Sequence, residues 1–98
     1  MEINITWSVY IITNKPNGVL YIGETKRLKK RIYQHKKKVH SGTFSARYNL
    51  DKLVYFEDHQ IENNAKLRER QLKKWNREWK IELIENSNPE WRDLYNDL

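Results

Sequence analysis

Two tyrosines, an arginine and a histidine gather in the first third of the chain: Tyr10 and Tyr21 with ten residues between them, then Arg31, and His35 four residues further on. A phenol and an imidazole can pass a proton, and a guanidinium offers a planar fork of donors to an anionic oxygen. Those are the needs of phosphodiester cleavage, in which water must lose a proton while charge builds on phosphorus. An ordinary tyrosine, with a pKa near 10, is a poor base at neutral pH. Tyr10, the choice for general base or water orienter, therefore needs a nearby cation such as Arg31 to lower its pKa or another group to supply the base, with Tyr21 completing the network and the two tyrosine roles open to exchange.

The elements that must position these groups can be read locally. Trp7 to Ile12 alternates in period two and is rich in β-formers, Asn14-Lys15-Pro16-Asn17-Gly18 reads as a turn, and Val19 to Gly23 is the return strand. An even loop keeps both hydroxyls on one face and an odd loop separates them. One cleft requires the even case, so we expect Ile12 opposite Val19 and Tyr10 directly opposite Tyr21. Thr25 then reads as the N-cap of a helix over Lys26 to His40, with Leu28, Ile32, His35 and Val39 on one stripe and Arg31 beside it. An inward histidine alone would read as a core residue; an arginine one turn earlier, behind two strand tyrosines, favours a site.

Charge points to the partner. The 98 residues carry 19 Lys+Arg against 13 Asp+Glu, a formal charge of +6, and eight of the thirteen residues from Lys26 to Lys38 are Lys or Arg. Such a patch suits a polyanion. Lys26, Arg27, Lys30, Lys37 and Lys38 are the expected phosphate contacts, with Lys29 and Lys36 on the same basic face. With no cysteine, disulfides and thiolate metal sites are excluded, and three histidines cannot close a zinc cage. The segment Met-Glu-Ile-Asn lacks the basic and apolar regions of a secretion signal, so a cytoplasmic protein without a membrane or an obligate protein partner is expected.

Ser41 to Leu50 shows no sustained period and reads as a mobile loop whose Arg47 and Tyr48 could touch substrate. Lys52 to Phe56 reads as a third strand ended by Glu57-Asp58-His59. A helix fits Ile61 to Lys74, with Ile61, Ala65, Leu72 and Trp75 inward and Glu69 at the border of that stripe. Trp75, Trp79 and Leu83 suggest a further helix packed in the core, and Asn88-Pro89 the start of a last short one. The whole predicts one α+β domain over residues 1–98, in the order β-β-α-β-α-α, with a small three-stranded, mainly antiparallel sheet flanked by helices.

Ser8-Val9-Tyr10, Tyr21-Ile22-Gly23, Leu28 to His35 and Ala65 to Lys73 occur in the order and at the separations of a known signature series. In these the chain resembles the GIY-YIG nuclease superfamily, with Ser8 in place of the first glycine and Glu24 where excision-repair relatives carry lysine. The resemblance spans about Trp7 to Lys80. It implies a three-stranded sheet with helices and a cleft for divalent-metal-dependent hydrolysis of DNA, with branched or damaged DNA among the substrates and repair or recombination among the settings. It also implies that Glu69 is catalytic and holds one Mg²⁺ or Mn²⁺, a role a surface glutamate paired with Lys66, Arg70 or Lys73 would not suggest by itself. Two other readings compete: a nucleic-acid-binding module without turnover, and a protein-interaction domain using Trp91 and Tyr95.

Overall fold

The structure, a computed structural model, describes residues 5–98. The residues Met1 to Asn4, from which the lack of a secretion signal is read, lie outside the described residues. Strands β1 (Trp7–Thr13), β2 (Leu20–Thr25) and β3 (Lys52–His59) form one antiparallel sheet in the order β2-β1-β3. Helix α1 (Leu28–Lys36) covers one face; α3 (Glu62–Lys74) and α4 (Arg77–Ser87) cover the other. The central strand is buried on both sides, which explains why Val9, Tyr10, Ile11 and Ile12 are all sequestered. Val9 and Ile11 join Ile22, Ala65, Leu72 and Ile84 in one core, and Tyr10 and Ile12 join Ile32, Leu50 and Leu53 in the other. Among the described residues no helix is long and apolar enough to cross a membrane.

The hairpin keeps the expected parity but not the expected register. Tyr10 pairs with Gly23 and Ile12 with Tyr21, so the tyrosines share a face diagonally, two residues out of the predicted alignment. The loop is displaced by one residue along the chain, lying between the paired Thr13 and Leu20 rather than between Ile12 and Val19, because its own groups close it there. The amide of Gly18 donates to the carbonyl of Lys15 at 2.9 Å, and that of Val19 to Asn14 Oδ1 at 3.0 Å. The left-handed residue of the turn is Asn17 (φ 57°), as the third position of a type II turn requires, rather than the glycine. Gly18 is needed for another reason: a Cβ there would sit 2.1 Å from Asn14 Oδ1. At the start of α4, Arg77 donates to the carbonyls of Asn17 and Gly18 and pins the loop.

Helix α1 is shorter than predicted at both ends. Thr25 Oγ1 accepts from the amide of Arg27 and turns the chain into the helix without capping it. The C-terminus closes on a Schellman pair, with the amide of Lys38 donating to His35 and that of Val39 to Gln34, and Lys38 itself left-handed at φ 52°. Val39 therefore leaves the stripe and is exposed. The predicted loop after it contains a one-turn helix, α2 (Phe44–Arg47), capped by Thr43. Strand β3 continues through Glu57-Asp58-His59, because those residues pair with Val9, Ser8 and Trp7. Ser8 Oγ donates to Asp58 Oδ1 at 2.5 Å across that pairing.

Five further expectations fail. Ile61 precedes α3 and is exposed. Trp75 ends α3 in an extended conformation and Asn76 caps α4, so Trp75 and Trp79 share no helix, and Trp79 is 54 % exposed rather than core. No helix starts at Pro89; the buried Asn88 side chain instead donates to the carbonyls of Val54 and Arg92, and the only later helical segment is a 3-10 turn at Tyr95–Asp97. Lys36 leaves the basic face altogether: it pairs with Asp93, donates to the carbonyl of Asp51 at 2.7 Å and lies 5.1 Å from the Tyr95 ring. Trp91 is buried and donates to Glu85, so it offers no surface to a partner protein.

Candidate active site

Strand alternation sends Tyr10 and Tyr21 toward α1, and the helical repeat sends Arg31 and His35 toward the same place, since residues four apart share a face. The Tyr10, Tyr21 and His35 rings meet in a triangle with centroid separations of 6.5, 5.7 and 5.9 Å. Arg31 and His35 line one cavity with Tyr21, and Arg31 also lines a second, more polar cleft with Lys26, Arg27 and Lys30. Tyr10 lies beneath. Its ring crosses Gly23 so closely that a Cβ on Gly23 would meet Tyr10 Oη at 2.4 Å. The glycine of the second triplet thus gives the buried tyrosine its place.

A chain of hydrogen bonds runs from Tyr10 outward. Tyr10 Oη lies 3.0 Å from His35 Nε2, His35 Nδ1 lies 3.0 Å from Ser45 Oγ, and Ser45 Oγ lies 3.4 Å from Thr43 Oγ1. Thr43 spends its proton on the carbonyl of His40 at 2.8 Å, so it can only accept from Ser45. All contacts are made together only if Ser45 donates to Thr43, His35 Nδ1–H donates to Ser45, and Tyr10 donates to a bare Nε2. Ser45 and Thr43 escape sequence reasoning because a one-turn helix leaves no periodic signal; the one available clue is Thr43 as a cap.

Electrostatics supports that assignment. Burial, with the Arg31 and His40 charges, pushes His35 down to about 4, so the imidazole is neutral at physiological pH. Burial, with the negative charges Tyr21 and Glu69 carry when ionised, holds the Tyr10 phenol well above its usual range, and Arg31 only partly opposes them. The expected lowering of the tyrosine pKa is therefore reversed: Tyr10 keeps its proton. Because unfolded His35 binds a proton near pH 6.5 and the folded residue refuses it until about 4, this group's stabilisation is present above pH 6.5 and lost as pH falls across that window. We expect the stability advantage of the native chain over His35→Gln, followed by urea unfolding, to shrink by roughly 1.4 kcal/mol per pH unit at most through that range. An advantage that does not vary with pH would contradict the neutral imidazole.

Glu69 approaches from the other side. It sits on α3 four residues after Ala65 and three before Leu72, both buried, and so on the face turned to β1 and β2. Its carboxylate is 24 % exposed and pairs with Lys73 at 3.3 Å. Its charge acts on Tyr10, and burial together with that charge raises the Glu24 carboxyl, which projects from β2 on the α3 side. Of the expected phosphate contacts, Lys26, Arg27, Lys30 and Lys37 are exposed, as are Arg47 and Tyr48. Lys38 lines the cavity beside Arg31 and donates to Asn49.

A family model described as the GIY-YIG catalytic domain matches residues 6–82. No curated protein and no solved structure matches the chain.

Proposed function

The chain belongs to the GIY-YIG family, and from that premise we propose that it is a divalent-metal-dependent endonuclease that hydrolyses DNA phosphodiester bonds. The observation that carries this reading is the convergence of Tyr21, His35 and Arg31 on one cleft with Tyr10 directly beneath it, while Glu69 sits on the face of α3 turned to the same two strands.

The donor set suits a hard cation. Burial first, and then the neighbouring Glu69 charge, hold the Glu24 carboxyl above its ordinary range, so two carboxyls, Glu24 and Glu69, stand near one another between β2 and α3. Mg²⁺ and Mn²⁺ are content with one or two protein carboxylates plus water and phosphate oxygens, which is what Glu69 with Glu24 beside it can offer. Glu69 would hold the ion, giving up an exposed Lys73 pair worth only a few tenths of a kcal/mol. A cation bound there supplies Lewis-acid polarisation of the phosphate.

Arg31, exposed at the rim, neutralises the charge that develops on the phosphorane. Tyr10 holds its proton and is no ready-made base. It accepts a proton from water only as it passes its own to His35 Nε2, the neutral acceptor 3.0 Å away. Ser45 keeps the imidazole in the tautomer that leaves Nε2 open, and Tyr21 orients the water from the neighbouring strand. Lys26, Arg27, Lys30, Lys37, Lys38 and Arg47 neutralise flanking phosphates.

Supercoiled plasmid incubated with the purified chain should be nicked in Mg²⁺ or Mn²⁺ and remain intact in chelator. Salt-sensitive binding without cleavage in either metal would leave a nucleic-acid-binding module in place of an enzyme.

A further inference from the structure

The one-turn helix α2 turns two large rings outward: Phe44 is 48 % exposed and Tyr48 44 %. They form a ladder with the cleft, Tyr21 to Phe44 at 6.4 Å with planes 30° apart, and Phe44 to Tyr48 at 4.7 Å. Phe44 is one wall of a cavity of about 280 Å³ between α1 and α2, shared with Tyr21 and Arg31 and edged by Gln34, Lys38 and His40. An apolar ring wall, a cationic rim and a polar amide and imidazole edge are what a nucleotide requires: stacking for the base, charge for its phosphates, hydrogen bonds for the base edge. The basic run on α1 favours this occupant over an apolar protein segment.

We propose that this cavity holds an unpaired nucleobase of the substrate, stacked on Phe44, one step from the scissile phosphate. The inference rests on the nuclease reading and deepens it. Tyr21 and Arg31 belong to both the cavity and the catalytic cleft, so a base seated here is a neighbour of the bond to be cut. A base paired within a duplex cannot present its face to Phe44. The substrate class is therefore DNA with an unpaired nucleotide beside the cleaved bond, such as a bulge, a flap or a single strand. The platform is fixed beforehand: Thr43 caps α2, and Ser45 ties it to His35.

The test uses the full chain in chelator, so that binding is read without cleavage. A short duplex bearing one unpaired fluorescent adenine analogue is titrated against the same duplex fully paired. The native chain is expected to prefer the unpaired form and to quench the analogue. Phe44→Ala should reduce that preference roughly 5- to 150-fold and abolish the quench, with paired-duplex affinity held within about twofold. Phe44→Tyr should retain both, and circular dichroism confirms that each variant folds. Paired and unpaired DNA bound alike, or a preference indifferent to Phe44→Ala, would overturn the subsite while leaving the nuclease reading intact if the plasmid is nicked. Binding to no DNA would overturn both. A dimer by sedimentation without DNA that Phe44→Ala disperses would assign the rings to a second copy of the chain and also overturn the proposal.

Discussion

Replacing Glu69 with alanine should lower plasmid nicking by roughly a thousandfold or more, and Arg31→Ala should do the same, while both variants keep the native circular dichroism spectrum. The two losses have different causes. Glu69 contributes little to folding, since it gives up only one surface pair with Lys73, so its removal isolates the metal role. With a negative charge gone, Glu69→Ala should bind DNA at least as tightly as the native chain. Arg31 makes none of the ion pairs found among the described residues, which leaves its charge available to substrate. Arg31→Lys should recover part of the binding and little of the rate, because an ammonium keeps the charge and loses the fork. Full activity of Glu69→Ala in Mg²⁺ would reject the metal assignment and return that residue to the surface.

Gly23→Ala should damage both stability and activity although it adds one methyl group. The new Cβ would lie 2.4 Å from Tyr10 Oη, 2.5 Å from its Cζ and 2.9 Å from its Cε1, far inside contact distance. Tyr10 is fully buried on the central strand and already bonded to His35, so its ring has nowhere to withdraw. Overpacking of this kind costs about 1–3 kcal/mol, read as a lower urea midpoint. Displacement of the ring also breaks the Tyr10–His35 contact, so nicking should fall by roughly a hundredfold or more. Tyr10→Phe separates the two effects: it removes the hydroxyl, should cost about 1 kcal/mol of stability, and should lose comparable activity. A Gly23→Ala chain as stable and as active as the native one would show that the ring does not lie over β2.

These two cases mark what was legible in the sequence. Helical spacing placed Arg31 with His35 and Glu69 between Ala65 and Leu72, a consequence of period alone. The shared face of Tyr10 and Tyr21 followed instead from requiring one cleft, since loop parity has no sequence signal of its own. The register was not legible, because it depends on Asn14 closing the loop and on Tyr10 needing a residue without a Cβ opposite it. The expected end of α1 at His40 is not reached, because the helix closes on Lys38, a residue with no special preference for the left-handed region. Trp75 and Trp79 kept a helical interval across the interruption between α3 and α4, and interval without helical continuity carries no facing information. The relay through Ser45 depends on a tertiary contact between α1 and α2, which no local pattern encodes.

Asp93 gathers three separate parts of the molecule: one oxygen accepts from the amides of Leu53 and Tyr95, and the other meets the Lys36 ammonium on α1. Burial pushes this carboxyl up, but Lys36 and the two amides prevail and hold it below its usual range. The grip therefore persists through mild acid and is released only as pH drops through that lowered value. Acidification then slackens the last turn of α1, which carries His35, at the moment the end of the chain lets go. One protonation therefore frees Lys36 and the amides of Leu53 and Tyr95 together, although Lys36 and Asp93 lie 57 positions apart in the chain.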